Sequence, residues 1–177
     1  MASELDRILD PTYIGDVRAL AMKDVRSMRS ECQEVETGLS YLRRLVQGRL
    51  DIVGVETLRR REGGEPGELS VLVSQLPEIL AAGTRAPGVG RLPQLLAPGE
   101  LDADLEARFE SVVAGHDVES LSELSDDSLE QLHDQLEAFE HEVSGFRRQL
   151  FDRIDALQAE ITRRYRTGEA SVETLLQ

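Results

Sequence analysis

Between Val25 and Val46 the apolar side chains keep a strict three-four alternation: Val25, Met28, Cys32, Val35, Leu39, Leu42 and Val46. That spacing is the seam of a coiled coil, and a chain that carries it needs a second helix to cover it. Pro11 lies before the stretch, no proline interrupts it, and Gly63-Gly64-Glu65-Pro66-Gly67 ends it. The pattern predicts one long helix over 16–61, reaching roughly 65 Å. Only an equally long partner can pack along it.

The partner is in the same chain. Ser125-Asp126-Asp127-Ser128 reads as a helix start, with Ser125 as N-cap and acids in the first turn. From there Leu129, Leu132, Leu136, Phe139, Val143, Phe146 and Leu150 repeat the alternation, each 104 positions after its counterpart. The expected fold is all-α: an antiparallel two-helix coiled-coil hairpin with a long, partly helical connector. The segments are 1–15, an N-terminal stretch; 16–61, the first long helix; 62–124, the connector; 125–166, the second long helix; and 167–177, a tail. Within the connector, Val71 to Leu80 and Leu101 to Val113 read as two short helices, the second with Leu101, Leu105, Phe109 and Val112 or Val113 on one face. A connector of this kind either packs and binds or is a partly disordered linker.

Composition narrows the function. The net charge of −14 argues against general binding to DNA, RNA or anionic membrane, all of which need a basic field. Cys32 is the only cysteine, so no internal disulfide forms and no cysteine metal site is available. No basic-then-apolar leader and no membrane-length apolar run occur, and a cytoplasmic protein is expected. No phosphate loop, nucleophile elbow or zinc signature appears, so a non-enzymatic role is expected. His133 and Glu137 lie four apart without an evident third ligand, and no metal site is expected.

A polar stripe lies one residue beyond the seam. In the first helix it is Glu36, Ser40, Arg43, Gln47 and Asp51; in the second, 104 residues on, it is Glu140, Ser144, Arg147, Phe151 and Asp155. Arg44/Arg148, Arg49/Arg153, Glu56/Glu160, Arg59/Arg163 and Arg60/Arg164 match as well, so the two helices read as diverged copies of one unit. On a helix the five motif positions span an arc of roughly 80°. Their last interval is four rather than three. The seam shows the same step, Val46 being followed by Leu50 and Leu150 by Ile154, which predicts a stutter that straightens the pair. Flanking charges of this sort are commonly interhelical salt bridges, as in a structural adaptor without a small ligand. Ser40 and Ser144 do not fit that role, because they bring no charge and only middling helix propensity. An Arg fork suits O6 and N7 of guanine, and carboxylates suit its N1 and N2 donors. Ser and Gln suit phosphate or ribose oxygens. Two copies suggest a ligand with two equivalent halves.

The motif Glu-x3-Ser-x2-Arg-x3-Gln-x3-Asp, whole in the first helix, resembles the cyclic di-GMP signature of the RsiG-type anti-sigma factors of actinobacteria. The resemblance covers both long helices, and Phe151 departs from it, standing where the motif has Gln. It implies that the ten stripe residues bind cyclic di-GMP, taken up as a dimer. It further implies that the loaded protein, a monomer within a heterodimer, sequesters a sigma factor of the flagellar or sporulation type.

Overall fold

A computed structural model describes residues 3–63, 101–116 and 120–169. These residues are all-α: α1 (Glu4–Leu9), α2 (Met22–Arg61), α3 (Ala103–Val113), a 3-10 turn (Ser120–Glu123) and α4 (Asp126–Thr167). Ser125 caps α4 as expected, its Oγ accepting from the Ser128 amide at 3.2 Å. The first long helix starts at Met22, not at residue 16. Asp16 instead folds its carboxylate back onto the Arg18 amide at 3.1 Å, a turn that competes with helix. The short α1 was not anticipated within 1–15, although its signal is in the sequence. Ser3 and Asp6 form a reciprocal capping box, and α1 buries Leu5 and Ile8. Of the two connector helices, α3 matches the second; residues 71–80 lie outside the described residues.

The chain divides into two compact units. The first holds α1, α2 up to Arg43, the start of α3 up to Glu106, and α4 from His141. Here α2 and α4 run antiparallel: Arg26 bonds the Tyr165 hydroxyl, Arg29 bonds Gln158, and Arg43 bonds Ser144. Val25, Cys32, Leu39 and Leu42 are buried with Val143, Leu150, Leu157 and Ile161. Phe146, Met28 and Val35 are only half-buried, although they lie on the expected seam.

The second unit holds α2 from Arg44, α3 from Ala107 and α4 up to Glu140. The direction is again antiparallel, with Gln47 on Glu140 and Arg60 on Asp126. Val46 and Val53 are buried with Leu129, Leu132, Leu136 and Phe139. Phe109 of α3 stacks on Phe139, ring centres 6.1 Å apart.

At the expected stutter Leu50 and Ile154 share partial burial with Arg49 and Arg153, and Val53 and Leu157, which both spacings place on the seam, are fully buried. Beyond it Glu56 is buried in the second unit, and Glu160 and Ile161 are both buried in the first. These glutamates are tolerated because each is held by two guanidinium groups. Glu56 accepts from Arg59 at 2.6 Å and from Arg60 at 2.7 Å. Glu160 accepts from Arg163 at 2.8 Å and from Arg164 at 2.6 Å. The second arginine of each set then reaches the carbonyls that precede the opposing long helix. Arg60 donates to Leu121 and Leu124 at 2.8 Å, ahead of α4, and Arg164 donates to Val17 at 2.9 Å, ahead of α2. Each unit thus carries the same clamp, built from the same Glu-x2-Arg-Arg segment.

Candidate functional site

The stripe positions flank the seam, so burial of the seam turns them toward the opposite helix. In the first unit the Glu36 carboxylate collects three bonds. It accepts from Ser40 Oγ at 2.6 Å, from Arg147 Nη2 at 2.8 Å and from Arg147 Nε at 3.1 Å. Arg43 Nε donates to Ser144 Oγ at 2.9 Å. The Arg147 guanidinium also lies 5.5 Å from the ring centre of Phe151, which is 45% exposed. Asp155 is exposed.

In the second unit Gln47 Nε2 donates to Glu140 Oε1 at 3.2 Å, and Asp51 is exposed. Glu36 with Arg147, Arg43 with Ser144, and Gln47 with Glu140 are therefore paired across the helices of their own unit, and Ser40 bonds Glu36 on its own helix. Asp51, Asp155 and Phe151 stand at the open end of each stripe.

The Glu36–Arg147 pair is partly desolvated, with 16% and 19% of the side chains exposed. Carboxylate and guanidinium are in direct contact, a charge-assisted pair between α2 and α4 of the first unit.

A family model described as RsiG-like matches residues 11–80 and 115–177. The chain belongs to the RsiG-like family. This membership gives the RsiG-like protein an anti-sigma factor role and a sigma factor as its partner. No curated protein matches the chain. Among the described residues of this RsiG-like protein, no helix is long and apolar enough to cross a membrane.

The sequence reading missed the Glu56 and Glu160 clamps as structural devices, although both were visible as matched residues 104 apart. It also missed a third group near His133 and Glu137: Asp134 brings a carboxylate oxygen to within 4.8 Å of both. This is an exposed helix face, with His133 Nδ1 3.7 Å from Asp134.

Proposed function

We propose that the paired stripes bind cyclic di-GMP as a dimer, and that the loaded protein sequesters a sigma factor of the flagellar or sporulation type in the cytoplasm. The role is binding; no catalysis is assigned. The observation that carries this reading is the Glu36–Arg147 pair with its Ser40 and Phe151 neighbours. A guanine entering there takes the fork of Arg147 on O6 and N7 and offers N1–H and N2–H to a carboxylate. Each partner that the protein gives up is thus replaced in kind. In the first unit Arg43, Ser144 and Asp155, and in the second unit Gln47, Glu140 and Asp51, offer donors and acceptors of the same kinds to bases and phosphates. Phe151 offers a ring for stacking where the motif has an amide.

The rival is a structural adaptor in which Glu36–Arg147 is an ion pair and nothing more. Gating by the ligand separates the two. Immobilised protein should capture the sigma factor with cyclic di-GMP and fail without it, and Asp51→Ala or Asp155→Ala should capture little in either condition. Equal capture in both conditions, by wild type and variants alike, would leave the adaptor reading in place.

A further inference from the structure

The second unit holds a groove of about 640 Å³ between α2 and α4. Its place follows from the helical spacing. On α2 the face that carries Gln47 and Asp51 continues through Gly54, Leu58 and Arg61, at intervals of three and four. On α4 the face that carries Glu140 runs back through Glu137, His133, Glu130 and Asp126 at the same intervals. The groove lies along these two continuations, so it shares a face of each helix with the second unit's part of the stripe.

Its floor is apolar and open. Leu129 is buried, whereas Leu58 is 56% exposed, the most exposed large hydrophobic residue among those described. A methyl group built onto Gly54 meets nothing within 4 Å. Leu58 is thus an apolar side chain open to solvent on the wall of the groove, with no side chain at Gly54 to cover it.

The walls are charged unequally. Arg60 is already committed to Glu56, Asp126 and the carbonyls ahead of α4. That leaves Arg61 on the α2 side against Glu130 and Asp134 on the α4 side, one turn apart and both exposed.

We infer that this groove is a docking surface for the sigma factor, taking an amphipathic helix that sets an apolar side chain on Leu58 and Leu129 and two basic residues one turn apart against Glu130 and Asp134. The inference rests on the anti-sigma reading and adds where the partner sits. Charge complementarity favours this occupant. The chain is acidic at −14, and a protein that engages promoter DNA presents basic surface to it. A helix-in-groove contact has the apolar anchor and charged rim found here. Because the groove continues the stripe faces of the second unit, a helix seated in it runs toward Asp51, and ligand held there becomes part of the surface it reads.

The test measures sigma-factor affinity at saturating cyclic di-GMP for wild type, Leu58→Glu, the double variant Glu130→Lys with Asp134→Lys, and Leu45→Glu. Leu45 is the other exposed leucine among the described residues of this unit and does not line the groove. Leu58→Glu and the double lysine variant should each weaken the sigma factor at least tenfold while cyclic di-GMP affinity stays within twofold. Leu45→Glu should match wild type. Affinities within twofold of wild type for both groove variants, or a loss in Leu45→Glu as large as in Leu58→Glu, would overturn the groove and leave the proposed function standing. Failure of the wild type itself to bind the sigma factor, with or without ligand, would overturn both.

Discussion

Arg153 in the first unit and Arg49 in the second occupy the same place in the repeat and meet different surroundings. Arg153 turns to the end of α1 and donates to the Leu9 and Asp10 carbonyls at 2.6 and 3.1 Å, beside the Tyr13 amide, which also donates to Asp10. Arg49 has a buried Nη1 with no hydrogen-bond partner among the described residues. It lines a small cavity with His116, whose Nδ1 is in the same condition. The clamps, by contrast, agree in detail: glutamate, two arginines, and carbonyls ahead of the opposing helix. The repeat thus dictates the seam and the clamp in both copies. What is added to each copy, α1 in the first unit and α3 in the second, decides whether its seam arginine is satisfied.

The largest effect is expected in the core, at the fully buried seam residues that the two units share. Leu157→Ala should cost about 2–5 kcal/mol, because it empties a fully buried site. Ile154→Ala, at the half-buried alternative, should cost about 1 kcal/mol. Denaturant unfolding measures both, and equal costs would show that Ile154 is packed as deeply as Leu157.

Acid should separate the clamps next. Glu160 is held at about 2 by Arg163 and then Arg164, and Glu56 is lowered by Arg59 and then Arg60. Both carboxylates bind protons more weakly folded than unfolded, so unfolding takes up protons as the pH drops. Their contribution is whole above the ordinary glutamate value of 4.5 and is lost as the pH falls through each folded value, which for Glu160 is about 2. Melting temperatures recorded from pH 6 to pH 2 should fall across that window for wild type. They should start lower and change less for Glu160→Gln. Parallel curves would mean that the clamp adds no pH-dependent stability.

The smallest effect is at the seam arginines. Arg153→Met should destabilise by about 1 kcal/mol, since it strips two carbonyls of a charged donor. Arg49→Met should be neutral or slightly stabilising, because it removes a buried donor without a partner. Equal losses at the two sites would show that Arg49 is satisfied in solution.

Much of this arrangement was legible in the sequence because a heptad seam is a local signal. Leu39, Leu42, Val46, Val143 and Leu150 were identified by spacing alone and are buried. The start of α2 was misplaced because Asp16 reads as a helical acid until its carboxylate is seen on the Arg18 amide. The burial of Glu56 and Glu160 is not legible from residue type, because a glutamate enters a seam only when it is paired, and its two arginine partners are brought to it by the fold. The stripe residues were located by repetition, but their pairing was not, since the partner of Glu36 depends on the antiparallel register. Register needs the turns, caps and clamps that only the folded chain displays.

Binding of cyclic di-GMP by the stripe is tested most directly by an equilibrium calorimetric titration. Wild type should bind cyclic di-GMP with two ligand molecules per chain at saturation. Arg43→Ala and Arg147→Ala should stay helical and lose about 1–3 kcal/mol of binding each, the worth of a bidentate guanine contact. No heat of binding with wild type, or affinities for both arginine variants equal to that of wild type, would contradict the account.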